Sequence, residues 1–224
     1  MIAKPISICI DDTHSVSALF QRPADAHACL VLAHGAGAGM HHSFLDTLAT
    51  ELGVRGVASL RYQFPYMERG SRRPDPPRLA EATVRAAVTE ARTLATGMPL
   101  FAGGKSFGGR MTSQAQAADP LPDVRGLVFI GFPLHPAGKP SATRFDHVRD
   151  VAIPMLFLQG TRDALADLEL LEPRLAELEK RATLKVIEHA DHSFHVPARS
   201  GRRDAEVIAE LALAISDWTA QGIS

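Results

Sequence analysis

The stretch Pro99-Leu100-Phe101-Ala102-Gly103-Gly104-Lys105-Ser106-Phe107-Gly108-Gly109 joins an apolar run to a helix-compatible segment through a glycine-rich turn. Residues 104–108 fit the pattern G-x-S-x-G. Between a strand and a helix, this pattern is typical of a nucleophile elbow, a tight turn that exposes a serine hydroxyl at a sheet edge. Glycine tolerates the backbone angles and the close packing that such a turn requires. We therefore interpret Ser106 as a candidate nucleophile for acyl transfer.

Two nucleotide-binding patterns near this stretch are incomplete. A phosphate-binding loop of the form G-x-x-x-x-G-K-[ST] that ends at Ser106 would need glycine where the chain has Pro99. The run Gly35-Ala36-Gly37-Ala38-Gly39-Met40 resembles a dinucleotide fingerprint, but Met40 stands where the third glycine is required. The sequence therefore predicts no nucleotide site, and no cofactor is expected.

Length and composition favour a single globular domain with room for a hydrophobic core. The chain has 224 residues, of which 46% are hydrophobic and 22% charged, and its formal net charge is −1. These values predict one α/β domain over residues 1–224. Near-neutral charge disfavours nucleic acid as a partner, because phosphate contacts need a concentrated basic face. The arginines of the Pro-rich segment 69–78 are most simply a solvated loop, with an anion site as the alternative.

Cysteine usage and hydropathy indicate a location. Cys9 and Cys29 both lie in apolar strand-like runs, so we expect them to be reduced core residues. The N-terminus lacks the basic region and the apolar core of a signal peptide. No run approaches the ~18 consecutive apolar residues of a membrane span. We therefore expect a cytoplasmic protein with no membrane association.

Apolar runs and helical stripes alternate along the chain. Strands are predicted at 6–10, 17–20, 28–33, 57–62, 100–103, 127–130, 155–158 and 184–187, and helices at 44–52, 84–94, 109–118, 168–178 and 208–218. This alternation predicts a mostly parallel, doubly wound α/β sheet. Segment 65–77 is a long irregular loop with four prolines. Segment 132–150 has no helical stripe, so no lid is expected there.

A serine nucleophile needs a base, and the base needs a third group that fixes its tautomer. In α/β-hydrolases these follow the serine in the order Asp or Glu, then His, at the ends of strands. Asp163 follows the strand predicted at 155–158, and His192 follows the strand predicted at 184–187. Because ligands bind at the carboxyl ends of parallel strands, we predict that these residues are the acid and the base.

Neighbouring residues offer alternatives. For the acid, Asp167 is expected inside the following helix and Asp191 directly precedes His192, so both are less suitable. For the base, His189 is expected at the end of the strand and His195 well beyond it. A run from 189 to 192 also matches the last half of an H-x-H-x-D-H metal pattern, but its first histidine would fall at residue 187, which is isoleucine. We therefore predict no metal site.

Stabilisation of a tetrahedral intermediate needs two backbone N–H groups directed at the developing oxyanion. We predict one from Phe107, the residue after the nucleophile, and one from Ala36, with Gly37 as the alternative. The residues predicted to contact substrate are His34, Gly35, Gly37 and Lys105. Further candidates for the pocket wall are Arg61, Tyr62, Arg110, His135 and Arg162.

Several segments together carry a resemblance to a known family. They are His34-Gly35-Ala36-Gly37, Gly103-Gly104-Lys105-Ser106-Phe107-Gly108-Gly109-Arg110, Gly131-Phe132-Pro133-Leu134-His135-Pro136, Leu158-Gln159-Gly160-Thr161-Arg162-Asp163 and Asp191-His192-Ser193-Phe194. The chain resembles the small, lidless bacterial α/β-hydrolases related to dienelactone hydrolases. It is most similar to the branch whose eukaryotic relatives include a testis-expressed protein and a subunit of a histone-acetylating complex. The resemblance implies a triad of Ser106, Asp163 and His192.

Two functional hypotheses lead from the sequence, and a third, a metallohydrolase that uses His189, Asp191 and His192, depends on the incomplete metal pattern. The first is a serine hydrolase that cleaves a small ester or thioester, with serine where dienelactone hydrolases proper have cysteine. The second is a non-catalytic interaction protein on the same fold, since some relatives act in complexes. A complete triad argues for the first, because a binding module does not need three aligned catalytic residues.

Overall fold

A central eight-stranded β-sheet organises the computed structural model, which describes residues 2–221. The strands are β1 (Lys4–Cys9), β2 (Ser15–Gln21), β3 (Ala28–Ala33), β4 (Val57–Tyr62), β5 (Leu100–Lys105), β6 (Val124–Ile130), β7 (Met155–Gly160) and β8 (Ala182–Ile187). Their spatial order is β1-β2-β4-β3-β5-β6-β7-β8. β2 pairs antiparallel with both β1 and β4, whereas every pairing among β3 to β8 is parallel. The prediction of a mostly parallel sheet is confirmed.

Helices cover both faces of the sheet. They are α1 (Ser43–Val54), α2 (Pro65–Glu68), α3 (Pro77–Leu94), α4 (Phe107–Ala118), α5 (Leu168–Ala176) and α6 (Asp204–Ala220). Leu48 of α1 and Leu211 of α6 belong to a core on one face. Val84 of α3 and Met111 of α4 belong to the core on the other face. This is the doubly wound α/β architecture. Within residues 2–221, no helix is long and apolar enough to cross a membrane.

The connection between β6 and β7 leaves the carboxyl end of the sheet without a lid. Residues 131–154 contain only a 3₁₀ helix, Thr143–Asp150, whose Phe145 and Val148 side chains are buried. The sequence pattern did not reveal this helix, because a 3₁₀ helix of 8 residues lacks the 3.6-residue stripe of an α-helix. Within residues 2–221, no inserted domain covers the ends of β5, β7 and β8, as predicted.

Two details differ from the sequence predictions. Cys9 is exposed at the end of β1, so the prediction that it is a core residue is wrong, whereas Cys29 is buried. The segment predicted as an irregular loop after residue 65 begins with the short helix α2. It is then fixed by the buried Asp75, whose carboxylate accepts from the Tyr66 N–H at 2.8 Å and pairs with Arg69 at 2.7 Å.

Candidate active site

Ser106 lies in the tight turn between β5 and α4, with φ 50° and ψ −114°. Such angles are strained for a residue with a side chain and are typical of a nucleophile elbow. The flanking glycines pack directly against β3. A Cβ on Gly108 would lie 2.6 Å from both the Ala33 Cβ and the His34 carbonyl oxygen, and one on Gly104 would collide with the Ala33 backbone. The turn forms because only glycine fits on either side of the serine.

The Ser106 hydroxyl is one end of a chain of three hydrogen-bonded side chains. Its Oγ lies 2.8 Å from His192 Nε2, and His192 Nδ1 lies 2.7 Å from Asp163 Oδ2. An ionised carboxylate only accepts, so Nδ1 carries the ring proton and Nε2 accepts from the serine hydroxyl. The three residues follow β5, β7 and β8, whose carboxyl ends lie at one edge of the sheet. In this geometry an imidazole can take a proton from serine.

Both carboxylate oxygens of Asp163 have donors. The side chain is fully buried. Its Oδ1 accepts from the Leu165 N–H at 2.8 Å, and its Oδ2 accepts from Gln159 Nε2 at 2.5 Å as well as from the imidazole. A buried carboxylate needs such partners, because leaving it without hydrogen bonds would be costly. The carboxylate is therefore held at one position against the imidazole.

The alternatives left open by the sequence have other partners. Asp191 Oδ1 accepts from two backbone N–H groups of its own loop, at 2.8 and 3.0 Å. His195 Nδ1 lies 2.9 Å from Asp204. Asp167 is the N-cap of α5 rather than a residue inside it. His189 is exposed, beyond the end of β8, with φ 66°. None of these side chains contacts the Ser106 hydroxyl.

The metal pattern of residues 189–192 is not assembled. Both ring nitrogens of His192 face Ser106 and Asp163, while His189 is exposed. Among residues 2–221, no group of three or more His, Cys, Asp or Glu side chains could hold a metal ion.

Two backbone N–H groups beside Ser106 are free to donate. Neither Phe107 nor Ala36 donates its N–H to an acceptor within residues 2–221. The N–H of Gly37, the alternative predicted from the sequence, instead donates to the Tyr66 hydroxyl at 3.2 Å. Of these two residues of the glycine-rich loop, Ala36 is therefore the one whose N–H has no acceptor within residues 2–221.

A cavity of about 410 Å³ opens above the Ser106 hydroxyl. Its walls are formed by the loop 35–38, His42, Phe44, Leu45, Lys105, Leu165, His192 and Ser193. A larger depression of about 550 Å³ lies where α3 ends and β5 begins, at the opposite edge of the sheet. That depression is lined by no serine, cysteine or histidine, so the smaller cavity is the candidate active site.

A family model for an alpha/beta hydrolase domain matches residues 26–220. The chain belongs to this α/β-hydrolase family. The matched residues include Ser106, His192 and Asp163.

Solved structures share the fold of this α/β-hydrolase at low sequence identity. A serine hydrolase without a lid from Xanthomonas campestris is 20% identical, with a TM-score of 0.74 over 97% of this chain and 95% of that one. A dienelactone hydrolase from Anabaena variabilis is 19% identical, with a TM-score of 0.77 over 99% and 98%. A protein from Butyrivibrio proteoclasticus, solved with bound ferulic acid, is 16% identical, with a TM-score of 0.74 over 93% and 98%.

One of the four residues predicted to contact substrate, His34, does not border the cavity of this α/β-hydrolase. His34 is fully buried: its Nδ1 lies 2.8 Å from the Gly35 carbonyl and its Nε2 accepts from the Phe64 N–H at 3.0 Å. Burial lowers the pKa of His34 to about 4, so the ring is neutral. Its ring joins the glycine-rich loop to the segment after β4 and does not reach the cavity. Gly35, Gly37 and Lys105 do line the cavity.

The further pocket-wall candidates lie elsewhere. Arg61 is buried and pairs with Asp46 at 2.9 Å, and Tyr62 is buried in the core. His135 and Arg162 border a separate depression beyond Asp163. Arg110 does not line the cavity either. These residues were predicted from their place in the sequence near the strand ends. The direction of their side chains depends on tertiary packing, which the sequence pattern does not show.

Other contributors were missed from the sequence. Gln159 donates to Asp163, and the Tyr66 hydroxyl accepts from the Gly37 N–H of the glycine-rich loop. Phe44 of α1 stacks on Phe194, with ring centroids 5.8 Å apart, and forms part of the cavity wall. Of these residues, only Gln159 could have been singled out from the sequence, because it is a polar residue at the end of an apolar strand.

Proposed function

We propose that this protein is a serine hydrolase that cleaves a small carboxylic ester or thioester through an acyl-enzyme intermediate. The observation that carries the proposal is the hydrogen-bonded chain from Ser106 through His192 to Asp163. Its members come from the ends of different strands, so they meet only through the fold.

In the first half-reaction, Ser106 Oγ attacks the substrate carbonyl while His192 Nε2 takes the hydroxyl proton. Asp163 keeps the imidazole in the required tautomer and stabilises the imidazolium. The oxyanion accepts from the N–H groups of Phe107 and Ala36, each worth about 3 kcal/mol in comparable sites. His192 then gives its proton to the leaving alcohol or thiol. Water repeats the sequence on the acyl-enzyme and releases the acid, so no cofactor is required.

The similar structures support a hydrolytic role. They include esterases from Rhodothermus marinus and from an Arctic intertidal metagenome, besides the lidless serine hydrolase. The cavity of about 410 Å³ suits a small-molecule substrate. Phe44, Leu45 and Leu165 give it apolar walls for an acyl or alcohol group.

A fluorophosphonate probe tests the proposal directly. We expect a covalent mass increase on Ser106 in the wild type and none in Ser106→Ala, because the probe reacts with activated serines. Ser141→Ala, a surface serine far along the chain from the elbow, is the matched control and should label as the wild type does. Absence of labelling in folded wild-type protein would contradict the proposal and favour the non-catalytic interaction protein.

A substrate panel then separates esters from thioesters. p-Nitrophenyl esters of increasing acyl length and N-acetylcysteamine thioesters with the same acyl groups should be compared by kcat/KM. We expect turnover of at least one series, reduced in Ser106→Ala by about 10³-fold or more. Turnover that survives in Ser106→Ala would assign the reaction to another group.

A further inference from the structure

Lys105 connects the elbow to the loop that carries His192. It is the last residue of β5 and directly precedes Ser106. Its Nζ donates a hydrogen bond to the backbone carbonyl of His192. The end of β5 is therefore connected to both residues: to Ser106 through the main chain, and to His192 through the Lys105 side chain.

The surroundings keep the ammonium group in this place. Lys105 Nζ lies 5.2 Å from the ring centroid of Phe194 and 6.0 Å from that of Phe44, so both aromatic faces attract the cation. Behind it is Gly131, with φ 67°, where a Cβ would lie 3.2 Å from Nζ. The same Cβ would lie 3.5 Å from Asp163 Oδ2 and from His192 Cε1. Lys105 Nζ, the Asp163 carboxylate and the His192 imidazole therefore all lie close to the Cα of residue 131, where only glycine leaves room for them.

Without Lys105, fewer contacts fix the base. Asp191 Oδ1 accepts from the N–H groups of Ser193 and His195, and these bonds lie within the His192 loop. The Arg162 N–H donates to the Ala190 carbonyl at 2.9 Å and connects this loop to the segment that carries Asp163. The Lys105 bond joins His192 itself to the strand that ends at the nucleophile. Displacement of a reacting group by about 1 Å can cost about 10²-fold in rate.

We propose that Lys105 is a positioning residue that holds His192 within reach of Ser106, and that it does so best as a cation. The inference rests on the proposed hydrolase function. Charge-assisted hydrogen bonds are roughly twice as strong as neutral ones, so loss of the lysine proton loosens the His192 loop.

The pKa of Lys105 lies in a pH range in which activity can be measured. Burial lowers the pKa of Lys105 to about 8, although Asp163 and Asp191 act in the opposite direction. The other titratable groups that face it are His192 and, across the cavity, His42. Because the unfolded chain keeps this proton up to about pH 10.5, Lys105 favours folding increasingly as pH rises from 8 to 10.5. Activity is expected to fall as pH rises from 8 to 10.5, the range in which the contribution of Lys105 to stability increases. Unfolding caused by Lys105 titration therefore does not explain the expected loss of rate.

Lys105→Met tests the proposal, since methionine keeps most of the apolar stem and removes the donor and the charge. We expect kcat to fall by about tenfold or more, with KM changed by less than about threefold. The rate of fluorophosphonate labelling should fall by a similar factor, while Tm is not lowered. Lys105→Arg, which keeps a cation, should recover part of the rate. Lys139→Met, at an exposed lysine, is the matched control and should behave as the wild type does.

The pH profile gives an independent readout if Lys105→Met does not fold. Wild-type labelling should slow above about pH 8, and Lys105→Arg should move this limb upward by at least about one pH unit, because guanidinium stays charged. An unchanged kcat and labelling rate in Lys105→Met, or the same alkaline limb in Lys105→Arg, would overturn the proposal. If the wild type does not label at all, the hydrolase function fails instead. The ¹³C shift of the His192 carbonyl, compared between wild type and Lys105→Arg or Lys105→Met, then still reports whether the bond exists.

Discussion

Asp163 can be replaced by asparagine with almost no change of shape, which separates its charge from its packing. In Asp163→Asn the amide is expected to present its carbonyl or its NH₂ group to His192 Nδ1, and the NH₂ orientation forces the wrong tautomer. Because Oδ1 accepts from the Leu165 N–H and Oδ2 accepts from Gln159 Nε2, the NH₂ group of asparagine faces a donor in either orientation. We expect kcat to fall by about 10⁴-fold, as for other triads, when measured with the best ester of the panel.

The control for this variant is Asp167→Asn in the same loop. Asp167 caps α5, and asparagine is as good a cap as aspartate, so kcat and stability should stay close to the wild type. If folded Asp163→Asn retained more than about a tenth of the wild-type kcat, Asp163 would not be the acid.

At the level of single residues, the sequence predicted positions better than side-chain directions. The order of Ser106, Asp163 and His192 follows from strand ends, and the fold brings these three side chains together. Their catalytic roles remain predictions. His34 illustrates the opposite case, since its neighbours lie in the cavity wall while its own ring is buried against Phe64. Such directions depend on contacts between residues distant in sequence, which no local pattern encodes.

The elbow as an element depends on close packing of α4 against β3. Gly108→Ala places a Cβ 2.6 Å from Ala33 Cβ and the His34 carbonyl oxygen. Alanine is better than glycine in a helix by about 1 kcal/mol, but overpacking against backbone costs about 1–3 kcal/mol. We expect a net loss of stability, measured as a lower Tm and a lower free energy of unfolding, together with reduced labelling of Ser106.

Gly35→Ala is the matched control for packing, because a Cβ there has no neighbour closer than 3.6 Å. Its free energy of unfolding should stay within about 0.5 kcal/mol of the wild type. Equal stability of Gly108→Ala and the wild type would show that β3 and α4 can separate without cost, contrary to the elbow argument.

Whole elements were predicted well where burial is continuous. The bounds of β3 and β4 match the prediction, because each residue of these strands is buried on a two-sided parallel sheet. β5 and β7 run two residues further than predicted, to Lys105 and Gly160. Their last residues are polar or glycine, so the apolar pattern ends before the ladder does. These extra residues are the ones that adjoin the candidate site.

At the scale of the molecule, the parallel order of β5 to β8 places three loops at one edge of the sheet. At the opposite edge lies a depression that is lined by no serine, cysteine or histidine. A single domain over residues 1–224 stays a prediction. The continuous sheet makes one cooperative unfolding transition the expected behaviour.

Acid should destabilise the whole molecule through histidines that fold as neutral groups. Burial, together with the Arg110 guanidinium, lowers the pKa of His147 to about 4, against the weaker effects of Asp150 and Asp146. The ring hydrogen-bonds to Ser113 Oγ at 2.8 Å and so joins the 3₁₀ helix to α4. Since the unfolded chain binds this proton below about pH 6.5, stability falls as pH drops from 6.5 towards 4.

His147→Gln isolates this contribution, because glutamine keeps a partner for Ser113 but does not titrate. Allowing for solvent screening of this partly exposed ring, we expect the variant to lose about 1–2 kcal/mol less than the wild type between pH 6.5 and 4. Chemical denaturation at each pH measures the difference. His41→Gln, at an exposed histidine, should follow the wild-type curve. His34 continues to destabilise both variants in acid, since burial lowers its pKa in the same way. Parallel curves for His147→Gln and the wild type would mean that His147 is protonated in the folded protein without cost.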